Sequence, residues 1–296
     1  MLPAIERYLA SLRRTLVRQI NMHRTESNYL TRTVRSMIKT LLQNLPRMNQ
    51  VRLALLSGPA IMLSLTAGAQ KNTAHQQQVW LGYFNQTRLT NKLGFWLDAH
   101  LRTKEDFFTD LSQAIGRVGV TYYINDATKL TAGYAFVNHF PADNHRNISQ
   151  PEHRAWQQVQ WHTKYGNKRM MQWIRLEERN RRKILNDSTL ADGYSFNYRI
   201  RYNLMYEIPL TKNASLPNST SFIINDEVHI NFGKQVVYNS FDQNRFFVGF
   251  KYQVNKTDNL QFGYMNLFQQ LPAGNNYRSL HTGRVFYFHN LDLRKK

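Results

Sequence analysis

Residues 198–210 alternate between apolar and polar side chains without a break. The stretch reads YRIRYNLMYEIPL, in which Tyr198, Ile200 and Tyr202 begin an aromatic and aliphatic row and Arg199 begins the polar one. Because successive side chains of a strand point to opposite faces, this period of two predicts a strand with one apolar and one polar face. In a soluble sandwich the apolar face covers a core. In an outer-membrane barrel it contacts lipid, and the polar face lines the lumen.

The same division recurs along the chain after residue 70. Eleven segments are predicted to be strands: 77–89, 92–103, 114–125, 128–140, 152–166, 168–181, 193–210, 220–233, 243–255, 258–271 and 278–291. Several are long enough to cross a bilayer at a tilt. Tight turns alternate with longer polar connectors such as 104–113, 141–151 and 182–192. The connector 211–219 is an exception, because it is long although it falls where a tight turn is expected. This asymmetry is typical of barrels with short periplasmic turns and longer outer loops.

We therefore expect an all-β fold, a single-chain antiparallel transmembrane β-barrel of about 10–12 strands. Since bacterial barrels normally have an even number of strands, a missed strand would give twelve, and a first segment outside the wall would give ten. Asp226 interrupts the apolar row of its strand, which a position near the barrel rim would tolerate. The alternative fold is a secreted soluble β-sandwich or lipocalin-like binding protein.

Composition excludes several classes of protein. The chain has no Cys, so disulfides, cysteine nucleophiles and thiolate metal sites are excluded. A net charge of +20 ordinarily indicates a nucleic-acid or anionic partner. Here, however, the arginines alternate along predicted strands instead of forming a patch, and we expect no nucleic-acid partner.

Residues 48–69 have the anatomy of a secretory signal peptide. A basic start, an apolar stretch and the small-residue sequence AGA predict cleavage after Ala69. An uncleaved membrane anchor is the alternative. Residues 1–47 form a basic N-terminal extension, which we interpret as a mis-assigned start with Met48 as the true one. Residues 70–296 would then form the mature barrel.

Four motifs resemble a known family. RLEERN at 175–180, YRIRY at 198–202, DEVHINF at 226–232 and QNRFFVGF at 243–250 are similar to the domain-of-unknown-function 2490 family of Gram-negative outer-membrane β-barrel proteins. The resemblance covers about residues 77–291. It implies an outer-membrane location among lipids and lipopolysaccharide, and the class implies insertion by the barrel-assembly machinery. The family offers no established activity to carry over.

If the apolar faces contact lipid, three neighbouring strands direct charged side chains into the lumen. These residues are Arg175, Glu177, Arg179, Arg199, Arg201, Glu207, Glu227 and His229. Partly desolvated charges need partners, so we expect an ion-pair network that braces the lumen. The alternative is a charged constriction that selects a small anionic solute, since this strand count permits only a narrow lumen. The expected role is therefore structural or that of a narrow solute channel, without a cofactor.

An enzyme of this class would be an outer-membrane lipid hydrolase or deacylase, which needs a nucleophile, a base and an orienting group. Ser279 and His281 share a predicted strand face, and Asp242 lies with Ser240 in a predicted loop. That spacing often occurs by chance, and no G-x-S-x-G elbow is present. We therefore predict no enzymatic activity and keep hydrolysis as the alternative.

Metal-ligand side chains gather around one predicted outer loop. They are His139, Asp143 and His145, with His153 nearby. Histidine and aspartate bind zinc or calcium, but their spacing in a loop does not define a site. We predict no metal site.

Overall fold

The computed structural model describes residues 72–294 apart from 105–106, 143–144 and 212–215. The predicted N-terminal extension and signal peptide lie outside the described residues. Within the described part of the chain, regular secondary structure consists of β-strands alone. That part contains no helix long and apolar enough to cross a membrane.

In the described chain, one strand forms for each segment that the alternation predicted. The strands are β1 (Asn72–Arg88), β2 (Leu93–Thr103), β3 (Leu111–Tyr123), β4 (Thr128–His139), β5 (Gln150–Tyr165), β6 (Lys168–Asn186), β7 (Thr189–Pro209), β8 (Ser219–Phe232), β9 (Phe241–Gln253), β10 (Asp258–Gln270) and β11 (Asn276–Asp292). They run from 11 residues in β2 to 21 residues in β7. The prediction of an all-β fold with about 10–12 strands is confirmed.

The eleven strands close into a barrel in which each strand pairs with its neighbours in sequence. All of these pairs are antiparallel, whereas β1 and β11 close the barrel as a parallel pair from Asn72↔Asn276 to Arg88↔Asp292. An odd number of up-and-down strands leaves the first and last pointing the same way, so a parallel closure is the only one available. All eleven segments counted along the sequence therefore belong to the wall, and the even number usual in bacterial barrels is not found in the described chain.

The barrel exterior is apolar and the buried charged side chains point inside, the reverse of a soluble protein. In β2, Leu93, Phe95 and Leu97 are 40–48% exposed on the exterior, whereas Asp98 and His100 are almost fully buried inside. The opening stretch obeys the same rule, since Ile200 is exposed and Arg201 is buried. The two faces of each strand therefore form the exterior and the interior surfaces of the barrel.

The connection between β6 and β7 differs from the predicted loop over 182–192. The two strands continue to Asn186 and from Thr189, so only a tight turn separates them. Their last pairs, Ile184↔Leu190 and Asn186↔Thr189, follow register shifts. Residues 182–192 therefore form the irregular end of a hairpin and not a loop, although their composition is polar.

Paired glycines inside the barrel make room for large rings. Gly119 of β3 and Gly133 of β4 are register partners beneath the buried ring of Trp156. A Cβ on Gly133 would lie 2.1 Å from a backbone carbonyl oxygen and 2.9 Å from the Trp156 ring. A second glycine pair, across β9 and β10, lies beneath Phe247 in the same way.

Ion pairs join strand ends where β1 and β11 finish. The Arg88 guanidinium donates to Asp126 at 2.6 Å, and this hydrogen bond lowers the pKa of the Asp126 carboxyl. Arg294 donates to Asp292 at 2.8 Å and reaches the Asn91 side chain at 3.4 Å. These contacts connect the turns after β1 and β3 with the end of the last strand.

Asp226 is a carboxylate on the exterior face. It pairs with Leu204 and Phe246 near the middle of β8, so the expected position near the rim is wrong. The side-chain amide of Asn244 donates to it at 2.7 Å. A neighbouring amide thus partly satisfies a polar group that the apolar surroundings would otherwise leave unpaired.

Candidate functional site

The barrel interior contains every side chain predicted to face the lumen. Each of the eight is at most 9% exposed. They are Arg175, Glu177 and Arg179 on β6, Arg199, Arg201 and Glu207 on β7, and Glu227 and His229 on β8. The antiparallel register sets β6 residues directly beside those of β7, for example Glu177 beside Arg199.

Glu177 is the centre of one ion-pair network. Its carboxylate accepts hydrogen bonds from Nε of Arg199 at 2.9 Å and from Nη1 of Arg201 at 2.6 Å. Two further guanidinium groups, those of Arg154 and Arg175, lie 3.9 and 4.0 Å away. Four cations therefore surround one fully buried carboxylate.

Both β7 arginines in this network reach a second carboxylate. Arg199 donates through Nη1 to Asp242 at 2.9 Å, and Arg201 donates through Nε to Glu227 at 2.7 Å. Glu227 also lies 2.9 Å from Nε2 of His229. Charges of opposite sign thus alternate across the barrel wall from β6 to β9.

Glu152 is a second centre, which sequence reasoning missed. Its carboxylate accepts hydrogen bonds from Nε of Arg154 at 2.6 Å, Arg179 at 2.6 Å and Arg181 at 2.9 Å, and it lies 2.8 Å from Nε2 of His139. Glu152 is the first residue of the strand predicted over 152–166 and directly follows a predicted loop. No interior role was therefore predicted for it. Its spacing from Arg154 in the EHR sequence is the signal that could have placed both side chains inside.

Other interior ion pairs stand apart from these centres. Glu207 accepts from Arg169 at 2.7 Å and contacts Lys251, away from the seven other predicted residues. Asp98 of β2 accepts from Arg117 of β3 at 2.7 Å. The predicted charges therefore form more than one group, and sequence reasoning missed several partners.

Apolar and aromatic side chains fill much of the remaining interior. The buried cluster comprises Trp80, Met205, Ile223, Phe247, Met265, Leu267, Leu280 and Phe286. Between this cluster and the ion pairs lies a cavity of about 150 Å³. Guanidinium groups stack on the aromatic rings, for example Arg102 at 3.6 Å from the Trp80 centroid. Such stacking stabilises a cation that is removed from water.

A family model described as a protein of unknown function (DUF2490) matches residues 77–278. The chain belongs to the DUF2490 family. The family predicted from the four motifs is therefore confirmed, and its description assigns no role.

An uncharacterized protein of Methylorubrum extorquens is 27% identical to this DUF2490 chain over 165 residues. The match covers 53% of this chain and 64% of the relative, so the chain spans less than two thirds of that protein's length. No solved structure matches the chain.

The candidate hydrolase residues of this DUF2490 barrel are not brought together. Ser279 and His281 lie on the exterior of β11, where Asn266 donates to the Ser279 hydroxyl at 2.9 Å and the Tyr264 hydroxyl meets His281 at 2.7 Å. Asp242 is the second residue of β9, not part of a loop, and a bulge directs it inside. It therefore faces the side of the wall opposite Ser279.

The candidate metal ligands are also dispersed. His139 lies inside beside Glu152, His145 contacts a loop carbonyl oxygen at 2.7 Å, and His153 lies outside against a tyrosine. Asp143 lies outside the described residues. Within the described ranges, no group of three or more potential ligands could hold a metal ion.

Proposed function

We propose that the chain forms a closed barrel in the outer membrane of a Gram-negative bacterium, with a structural role instead of that of an open pore. The exterior supports the membrane location. Large apolar side chains are exposed on successive strands, among them Val120 on β3, Leu130 on β4 and Phe250 on β9. Single exposed apolar residues are ordinary, but a continuous apolar surface indicates an apolar partner. An outward apolar band is what lipid requires of a barrel.

Strand length and the N-terminal sequence support the same location. A tilted strand needs about 9–11 residues to cross the hydrocarbon core, and the shortest strand here has 11. The predicted signal peptide at 48–69 would direct the chain out of the cytoplasm. A secreted lipocalin-like protein would also carry a signal peptide, but its exterior would be polar, whereas the exterior here is apolar.

The burial of the interior carboxylates is the observation that supports a closed barrel. Asp98, Glu152 and Glu177 are each at most 1% exposed. A water-filled channel would leave such groups hydrated, whereas here guanidinium groups and rings surround them. The interior cavity has a volume of only about 150 Å³, and ion-paired and aromatic side chains line it.

A narrow anion channel is the second candidate. The charges around the cavity favour it, because arginines there outnumber carboxylates. Conduction would require interior side chains to move aside, which would break several buried ion pairs.

Planar-bilayer recording of the protein purified in detergent tests both candidates. We expect heat-modifiable gel mobility and membrane insertion without conductance steps. Stable anion-selective steps across a salt gradient would contradict the closed barrel and favour the channel. Detergent-free solubility without heat-modifiable mobility would contradict the membrane location itself.

A further inference from the structure

The interior cavity has an excess of positive charge. Six arginine side chains line it: Arg102, Arg117, Arg175, Arg201, Arg245 and Arg284. Glu227 is the single carboxylate in the described lining. It pairs mainly with Arg201 and lies 3.6 Å from Arg245. Arg117 and Arg201 also pair with carboxylates outside the lining, Asp98 and Glu177. Arg102 and Arg284 have no such pair among the described residues.

Two of these arginines flank one tryptophan at the barrel seam. Trp80 of β1 is the register partner of Arg102 on β2 and of Arg284 on β11. Arg102 donates to the Gln113 side-chain oxygen at 2.9 Å, and Arg284 stacks 3.3 Å from the Phe247 centroid. Neither guanidinium has a carboxylate within ion-pair distance among the described residues.

Both arginines are removed from water and retain unused donors. Arg102 and Arg284 are each 8% exposed, and the Nε of each has no hydrogen-bond acceptor in the described structure. The Nε of Arg245, which also lies on the cavity, is in the same state. A buried cation without an anion is costly, and a buried donor without an acceptor indicates a missing partner. A negatively charged acceptor would supply both the missing charge and the missing hydrogen bonds.

The rest of the cavity lining is mixed, with amide side chains such as Gln160 and Asn203 beside aromatic rings. Phe84, Trp96 and Phe286 contribute rings to its lining. An apolar cavity of about 150 Å³ accommodates one benzene ring. The cavity in this barrel has the same volume, about 150 Å³. A lining that combines aromatic rings with guanidinium groups matches a ligand with an apolar body and a charged end.

We propose that this cavity binds a small carboxylate anion with an apolar body. The carboxylate is held by Arg102 and Arg284, because guanidinium groups pair with carboxylates through charge-assisted hydrogen bonds. The apolar body packs against the aromatic wall. The inference does not depend on the membrane location or on conduction, since a closed barrel in detergent contains the same cavity.

Calorimetric titration of the detergent-purified protein tests the proposal, with benzoate as the probe. Benzamide has nearly the same shape without the charge, and inorganic phosphate has the charge without the apolar body. We expect saturable benzoate binding that is at least about tenfold tighter than that of either comparator. Equal binding of benzamide, equal binding of phosphate, or no saturable benzoate binding would each overturn the proposal.

Variants identify the residues that hold the carboxylate. Arg102→Gln and Arg284→Gln should each weaken benzoate binding by about tenfold or more, and Arg284→Lys should retain part of it. Arg182→Gln, which removes a charge outside the cavity lining, should bind like the parent. Unchanged affinity in both folded glutamine variants would overturn the assignment. If either variant fails to fold, the comparison of benzoate with benzamide in the parent protein still decides the proposal.

Discussion

Glu177→Gln tests whether the buried ion pairs stabilise the barrel. The substitution keeps the size of the side chain and removes one charge from the centre of the network. Arg199 and Arg201 donate to different oxygens of this carboxylate, at 2.9 and 2.6 Å, and the amide of glutamine keeps only one of these acceptors. The neighbouring Glu178 offers a matched control, because its side chain is on the opposite face of β6 and has no ion pair in the described structure.

The expected cost follows from what the two arginines retain. Removing one partner of a buried ion pair costs about 3–5 kcal/mol when the other charge is left uncompensated. Arg199 keeps Asp242 at 2.9 Å, and Arg201 keeps Glu227 at 2.7 Å. The free energy of unfolding should therefore fall by about 3 kcal/mol, the lower end of that range.

Equilibrium urea unfolding in detergent micelles, followed by tryptophan fluorescence, measures this loss. The unfolding midpoint of Glu177→Gln should fall by about 1–3 M urea. Glu178→Gln should leave the midpoint unchanged or raise it slightly, because it removes a charge from the exterior. Equal midpoints for the parent and both variants would refute the reasoning that the interior network contributes to stability.

Three further substitutions probe the interior, the glycine pairs and the exterior. Glu152→Gln should cost about 4–5 kcal/mol in the same urea titration, because Arg179 keeps no other carboxylate within ion-pair distance among the residues that the structure describes. Gly133→Ala should cost at least about 1–3 kcal/mol by the same measurement, since the new Cβ would lie 2.1 Å from the Val118 carbonyl oxygen. Leu97→Arg, on the exterior in mid-strand, should cost about 2–4 kcal/mol when unfolding is measured in lipid vesicles.

Matched controls accompany the last two substitutions. A Cβ on Gly116 would meet nothing within 4 Å, so Gly116→Ala should leave stability unchanged. Leu185 is exposed near the tip of the β6–β7 hairpin, and Leu185→Arg should cost no more than about 1 kcal/mol. Equal losses in the two glycine variants would contradict the packing argument. Equal losses in the two arginine variants would contradict a lipid-facing Leu97.

Local alternation was sufficient to predict the strands and their faces. Residues 198–210 occupy β7 almost as predicted, and their arginines lie inside because the pleat allows no other arrangement once the apolar row is outside. Hairpin pairing then follows from short turns, since neighbouring strands in sequence become neighbours in space. The hairpin tip at 182–192 was missed because its polar residues resemble a loop.

Closure and contacts across the interior could not be predicted. The partner of β1 is β11, more than 200 residues later in the chain, and no local pattern determines that parallel register. Asp242 enters the network only because a bulge redirects it, which its sequence neighbours do not reveal. The stacking of Arg284 on Phe247 joins two strands that are not adjacent in the wall. These features depend on the completed barrel.

The central claim is that successive residues of each strand alternate between contact with lipid and contact with a packed interior. The chain has no Cys, so single cysteines at Ile200, Tyr202, Asn203 and Met205 can each carry one nitroxide label. Paramagnetic resonance of the labelled barrel in lipid vesicles measures collisions with oxygen and with a water-soluble nickel complex. We predict frequent oxygen collisions at positions 200 and 202, and few collisions with either reagent at 203 and 205. Access of the nickel complex to 200 and 202 would contradict a lipid-facing exterior, and its access to 203 and 205 would contradict a closed interior.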